Sequence, residues 1–221
     1  MSNYFIWDEK TISGSDPVEA SIFYDKGYLF SRKFKGSMYQ SRLIRIDLRG
    51  FTFTSENRRV LRKVEGLTLK YLPLPIAKES YDWNIHRIGK DFYTKKFGEK
   101  TFSASTIKSL VTDPNRSNFN SLLEYSFNDE RFGYAICYQN PSLMHYAYPF
   151  YKFEKVSNNM GMGMILKAIE YAIDNHKQYF YIGTLSRPAD IYKLQFNNSE
   201  WFDGKIWRED FDEVKQDLSK S

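Results

Sequence analysis

The sequence predicts a mixed α/β chain in which a mostly antiparallel central sheet is flanked by helices. Three observations predict it. The second half alternates short apolar runs with one strongly periodic run, in the order strand, strand, strand, glycine-containing loop, helix, strand, helix, strand. Hydrophobic residues make up 42% and charged residues 27% of 221 residues, ordinary globular usage for one large domain or two small ones. Aromatics reach 18%, with 17 Tyr and 18 Phe, side chains that bury large areas while Tyr keeps a polar tip.

The elements follow in order. Residues 1–20 are polar with a Gly-Ser-Asp-Pro turn and read as a loose lead-in. A short strand pair is expected over 22–34 around Gly27, and a half-buried strand over 42–48, where apolar and charged positions roughly alternate. Thr54 or Ser55 supplies an N-cap for a helix through Arg58 to Lys63. A strand over 67–72 stops at Pro73 and Pro75, and helices are expected over 80–97 and 105–111, the second closed by Asp113-Pro114. Strands over 122–127 and 131–139 flank the turn pair Asn128-Asp129, and a third covers 143–153. Ile165, Leu166, Ile169, Tyr171 and Ile173 mark a helical stripe over 162–176. A strand over 179–184, a helix over 189–196 and a strand over 201–207 complete the set. With no repeat or low-complexity linker, the expected organisation is a lead-in (1–20), one domain (21–208) and a polar acidic tail (209–221).

Several function classes are excluded. The single Cys137 rules out an internal disulfide framework and an all-cysteine metal site. His86, His145 and His176 lie far apart without metal-ligand spacing, so no metal is expected. The first residues lack the basic-then-apolar pattern of a signal peptide, and no apolar run approaches the roughly 20 residues that span a bilayer. A cytoplasmic protein without a membrane partner is expected. The net charge is +5, and residues 31–63 hold ten Lys and Arg against Asp47 and Glu56. Such a concentration suits either a phosphate-binding face or a solvated surface paired with acids elsewhere.

The loop Asn158-Asn159-Met160-Gly161-Met162-Gly163 joins a strand to a helix. Glycines allow backbone N–H groups close to a ligand, and a helix N-terminus adds unsatisfied donors and partial positive charge. Together they make an anion site, typically for phosphate. The pattern resembles the Gln/Arg-x-x-Gly-x-Gly/Ala loop of the GNAT acyltransferase superfamily, with Asn158 in place of Arg or Gln. The later Ala189-x-x-Tyr192-x-x-x-Phe196 segment looks like that superfamily's Ala/Tyr/Phe region, with a one-residue difference in spacing.

A narrower resemblance is to the arginyl-tRNA–protein transferases and their bacterial leucyl-transferring relatives. Phe53-Thr-Ser55-Glu-Asn-Arg58-Arg59-Val-Leu-Arg62-Lys63 resembles that family's Phe-x-x-Ser-x-x-Arg-Arg-x-x-Arg/Lys signature. Asp25-Lys-Gly27-Tyr28 is similar to its early Gly-aromatic segment, and Val156-Ser157 before Gly161 to its Leu-Ser-x-Gly loop, longer here by two residues. Tyr179-Phe-Tyr181-Ile-Gly183 and Tyr192-Lys193-x-x-Phe196 resemble two later motifs, in the family's order. The resemblance implies a GNAT-like fold, aminoacyl-tRNA as donor, and transfer of an arginine- or leucine-class amino acid to an amine such as a protein N-terminus. Tyr146 to Phe150 would line a splayed strand pair. The family's N-terminal cysteine cluster is missing, so no metal cluster is implied and the acceptor differs or activity is lost.

Transfer to an amine needs a positioned ester, stabilisation of the oxyanion and a proton for the leaving oxygen. Tyr192 could supply that proton, and His145 or Glu124 could act as base. Each is also readable as an ordinary packed side chain, and Cys137 as a buried inert thiol. Arg58, Arg59, Arg62 and Lys63 share roughly one helix face and could clamp a tRNA backbone. No cofactor is expected to be permanently bound. Two alternatives stand beside the aminoacyl-tRNA reading: an acyl-CoA N-acyltransferase using acetyl-CoA at the same loop, and a non-catalytic RNA- or protein-binding relative.

Overall fold

A computed structural model describes residues 5–13, 16–153 and 159–220 of the chain. A small antiparallel sheet has the order β1 (Asp8–Thr11), β3 (Ser37–Gln40), β2 (Tyr28–Phe30). A large sheet of eight strands has the order β11 (Trp207–Arg208), β10 (Ser199–Phe202), β4 (Leu43–Asp47), β9 (Tyr179–Thr184), β8 (Leu143–Tyr151), β7 (Glu130–Gln139), β6 (Ser121–Phe127), β5 (Leu67–Pro73). The helices are α1 (Pro17–Asp25), α2 (Ser55–Lys63), α3 (Asn84–Phe97), α4 (Ala104–Thr112), α5 (Met160–Asp174) and α6 (Asp212–Lys220). The fold is therefore a mixed α/β structure with a large, mostly antiparallel sheet and flanking helices. Strands β8 and β9 pair in parallel over three positions, Leu143–Tyr179, Met144–Phe180 and His145–Tyr181.

Contacts divide the chain into two units. The first comprises Met1–Thr54, Asn140–His145 and Ala172–Ser221; the second comprises Ser55–Gln139 and Tyr146–Tyr171. In the first unit the structure corrects the N-terminal expectation. Residues 17–25 form a helix rather than the end of a loose lead-in and the start of a strand. Asp16 caps it by accepting from the Val18 N–H at 2.8 Å, and Pro17 sits at the first helical position, where its missing N–H costs nothing. Ala20 and Tyr24, one turn apart, are buried, so packing overrides the strand propensity of Ile22, Phe23 and Tyr24. Gly27 then turns the chain at φ 76°, against the Phe202 ring, where a Cβ would stand 2.1 Å away.

Two further expectations change. The strand expected over 201–207 is a hairpin, β10 and β11, turned by Gly204 at φ 104°. The polar tail from residue 209 contains α6, which buries Val214 and Leu218 at i, i+4 spacing. Pro188–Gln195 is a 3₁₀ segment rather than an α-helix, with Phe196 at its C-cap.

The second unit follows the sequence pattern closely. Asn128 and Asp129 adopt φ 50° and 64°, the left-handed pair a tight hairpin requires. Helix α3 begins at Asn84, four residues later than expected, and α4 is capped by the Ser103 hydroxyl, which accepts from the Thr106 N–H at 3.1 Å. Helix α5 buries Met160, Met164, Leu166, Ala168 and Ile169, a stripe at i, i+4 and i, i+3 spacing. Each large side chain there contributes about 1.5–3 kcal/mol. The buried Tyr125 hydroxyl of β6 donates to the Met164 carbonyl at 3.0 Å and fixes the helix on the sheet.

Candidate active site

Within the second unit, the first turn of α5 is the part of the predicted anion loop that the structure describes, from Asn159 onward; Asn158 lies outside the described residues. The Gly163 N–H bonds the Asn159 carbonyl at 2.8 Å, so the helix is already closed there. Helix geometry leaves the amides of Met160 and Gly161, in the turn before, without an intrahelical acceptor. A Cβ at Gly161 would stand 3.2 Å from the Tyr151 hydroxyl at the end of β8. Gly163 differs. Its amide serves the helix, and its bare Cα lets α5 approach Val64 and Leu67, where a Cβ would stand 2.8 and 3.2 Å from their methyl groups. Met162 is half-buried between the two glycines.

That contact brings a second predicted feature to the same place. Val64 directly follows α2, whose last residues Arg62 and Lys63 are exposed while Asn57 and Val60 face inward. Gly163 of α5 thus packs on the residue that directly follows the cationic end of α2. Arg58 is exposed on the same helix, and Arg59 pairs with Glu56. The second unit carries 17 Lys and Arg against 12 Asp and Glu, while the first balances 15 against 15, so the whole net charge of +5 belongs to the unit holding this turn.

Several other cations of the basic stretch 31–63 are paired with carboxylates of the first unit. Lys33 pairs with Glu9, Arg42 with Asp217 at 2.9 Å, and Arg49 with Asp47. Arg45 is buried. It bonds Glu200 at 2.9 Å, Asp25 at 2.8 Å and the Tyr181 hydroxyl at 3.2 Å, and stacks between Tyr179 and Trp207 at 4.0 and 3.9 Å. These arginines belong to the first unit, where its own carboxylates neutralise them. Sequence spacing holds no signal for that difference, because the acids lie up to 175 residues away.

The three candidate catalytic side chains occupy different surroundings. Glu124, in the second unit, is mostly buried on β6 beside Arg131, whose guanidinium lies 3.5 Å from it and 3.3 Å from Asp82. It serves an ion-pair network. His145, in the first unit, is enclosed. Its Nδ1 and the Tyr24 hydroxyl share a 2.9 Å hydrogen bond, and burial, aided by the nearby Lys193 charge, pushes its pKa down to about 3. An enclosed neutral imidazole without solvent access suits packing better than proton abstraction. Tyr192 is 39% exposed on the 3₁₀ segment, so its phenol is accessible. Cys137 is fully buried and its thiol is pushed well up by burial, as expected of an inert thiol.

Sequence reasoning missed the group that holds Tyr192 in place. Lys193 and Asp190 form a buried ion pair at 3.0 Å. The Lys193 ammonium also donates to the Thr184 carbonyl at 2.6 Å. Asp190 accepts from the Ser186 and Arg187 N–H groups at 3.1 and 3.0 Å. Burial pushes the Asp190 carboxyl up, but Lys193, Arg187 and the hydrogen bonds outweigh it and hold it below its ordinary range. The i, i+3 spacing of Asp190 and Lys193 was the available signal. Among the described residues no group of three His, Cys, Asp or Glu could hold a metal ion, and no helix is long and apolar enough to cross a membrane.

No family model and no curated protein matches the sequence. Solved structures do resemble it. L-PGS from Bacillus licheniformis aligns with a TM-score of 0.49 at 14% identity, over 76% of this chain and 52% of that one. The C-terminal domain of a protein described as a lysylphosphatidylglycerol synthetase, from Agrobacterium fabrum, gives 0.49 at 12% identity, over 81% and 55%. A GCN5-related N-acetyltransferase from Kribbella flavida gives 0.40 at 12% identity, over 86% and 63%. The chain spans about half the length of the first two.

Proposed function

We propose that this chain is an aminoacyltransferase of the GNAT-like type, taking an arginine- or leucine-class aminoacyl group from tRNA and passing it to an amine such as a protein N-terminus. One contact supports the reading: the bare Cα of Gly163 in α5 packs on Val64, which directly follows the exposed Arg62 and Lys63 of α2 in the same unit. The Met160 and Gly161 amides would take phosphate oxygens at short range, and Arg62 and Lys63 would neutralise neighbouring phosphates.

The chemistry is simple in outline. The neutral amine attacks the ester carbonyl carbon, a C–N bond forms, and the C–O bond to the tRNA ribose breaks. The leaving ribose oxygen takes one proton and the attacking nitrogen releases one, so the exchange balances through solvent; the sequence offers Tyr192, in the first unit, as a general acid. Asp190 and Lys193 hold the segment that carries Tyr192. Positioning supplies much of the rate.

The test is incubation with a pool of aminoacyl-tRNAs and, separately, with acetyl-CoA, followed by mass spectrometry of peptide acceptors. An arginyl or leucyl mass increment supports the reading. An acetyl increment alone would assign the α5 turn to the CoA pyrophosphate. Donor binding with no modified acceptor would identify a binding module.

A further inference from the structure

Trp83 is the most exposed aromatic side chain among the described residues, at 55%. An indole left in water at the N-cap of α3 costs burial energy that almost every other aromatic here recovers. Its neighbours have the chemistry of a stacking site. The Arg87 guanidinium lies over the Trp83 ring, 4.6 Å from its centroid. Tyr81 and His86 stack at 5.9 Å and 14°, joined by a 2.7 Å hydrogen bond between the hydroxyl and Nδ1. The Lys108 ammonium lies 5.7 Å from the Tyr81 ring. Of the nearby acids, Asp82 and Glu124 face Arg131, and among the described residues Arg87, Lys90 and Lys108 have no carboxylate within ion-pair distance.

Flat aromatic and guanidinium surfaces interleaved with uncompensated cations fit unpaired nucleobases on a phosphate backbone. Phe92, nine residues beyond Trp83 and half a turn round α3, packs its ring on Tyr151 at 4.8 Å, and Tyr151 in turn borders Gly161.

We propose that Trp83, with Arg87 and the Tyr81–His86 pair, is a base-stacking platform for the single-stranded end of the tRNA donor. The proposal rests on the donor reading above and names where on the protein the unpaired nucleotides lie. Phosphates along the strand meet Lys90 and Lys108, and the bases lie against the rings.

The experiment measures binding of a short fluorescein-labelled single-stranded RNA, and of the same RNA annealed to its complement, by the full chain and its variants. Trp83→Ala should weaken single-strand binding roughly 5- to 150-fold. Trp83→Phe, which keeps a ring face, should retain most of the affinity. Lys108→Ala should lower the salt slope by about 0.7. Circular dichroism checks that each surface variant is folded. An unchanged single-strand affinity in Trp83→Ala, or an equal loss on the duplex, overturns the platform. Transfer from charged tRNA is assayed in parallel. Wild-type transfer with Trp83→Ala at limiting donor defeats the platform and spares the donor reading. Trp83-dependent RNA binding without any transfer by the wild type does the reverse.

Discussion

Gly161 and Gly163 are two residues apart, and the structure gives them opposite jobs, so the same substitution should have opposite effects. An alanine methyl at Gly163 would stand 2.8 Å from the Val64 Cγ2 and 3.2 Å from the Leu67 Cδ2. Neither neighbour can yield easily. Val64 is fully buried, β-branched, and tied by its N–H to the Val60 and Leu61 carbonyls at 3.1 and 3.2 Å. Overpacking of this kind costs about 1–3 kcal/mol, and the better helix propensity of Ala returns about 1. Gly163→Ala should therefore lose about 0–2 kcal/mol of stability, with donor affinity unchanged once folded protein is compared. At Gly161 the methyl meets, among the described residues, the far end of the Tyr151 side chain at 3.2 Å, a contact that a shift of a few tenths of an ångström relieves. Gly161→Ala should leave stability equal or up to about 1 kcal/mol higher. The amide stays, but a methyl that keeps a phosphate oxygen from reaching it should weaken donor binding about 10- to 150-fold, the scale of one charge-assisted hydrogen bond of about 1.5–3 kcal/mol. Urea unfolding and titration with aminoacyl-tRNA measure the two effects separately. If Gly161→Ala destabilises as much as Gly163→Ala and binds donor normally, the first turn of α5 is a connector and the assignment of roles fails.

Other outcomes follow from the first unit. Tyr192→Phe keeps the ring and removes the proton, so turnover should fall about 10²–10⁴-fold with donor affinity little changed; normal turnover removes Tyr192 from the chemistry. His145 titrates near 3 folded and near its ordinary value unfolded, so the unfolded chain binds the extra proton between them. Stability should accordingly fall as pH drops from about 6.5 toward 3, with a slope near 1.4 kcal/mol per pH unit that His145→Gln flattens. An identical slope in the variant would contradict a buried neutral imidazole. Asp190→Ala strands the Lys193 ammonium in the interior and should cost about 3–5 kcal/mol, while Asp190→Ala with Lys193→Met recovers part of it. A loss under about 1 kcal/mol in thermal or urea unfolding would show that the pair is not held as described.

Much of the architecture could be read from the chain. The strand Tyr179–Thr184 has the boundaries its apolar run implies, and Asn128-Asp129 forms the expected tight turn. Helix α5 forms where its period implies, but its buried face adds Met160, Met164, Ala168 and Ala172 to Ile165, Leu166 and Ile169, while Ile173 of the expected stripe is exposed. The misreadings share a cause, which is that packing decided what local propensity left open. The Ile22-Phe23-Tyr24 run reads as strand by residue type, yet Asp16-Pro17 starts a helix and the burial of Ala20 and Tyr24 completes it. The polar residues after 209 hide the Val214–Leu218 pair that docks α6. At the candidate site, the glycine loop and the basic helix were both visible, but their meeting through Gly163 and Val64 was not, because residues 99 apart in sequence carry no pairing signal without an alignment. Of the two readings the basic stretch allowed, Arg42 and Arg45 follow the one with distant acids, which come from α6 and β10.

The central claim is that the end of α2 and the first turn of α5 hold one donor phosphate segment together. A double-mutant cycle on aminoacyl-tRNA affinity tests it, pairing Arg62→Ala with Lys63→Ala in one arm and Gly161→Val in the other. Each arm alone should weaken binding, and the combined loss should fall short of the sum by at least about 0.5 kcal/mol, because the second change removes contacts to a segment already displaced. Losses that add within about 0.3–0.5 kcal/mol, or an arm with no effect on affinity, would contradict a shared site.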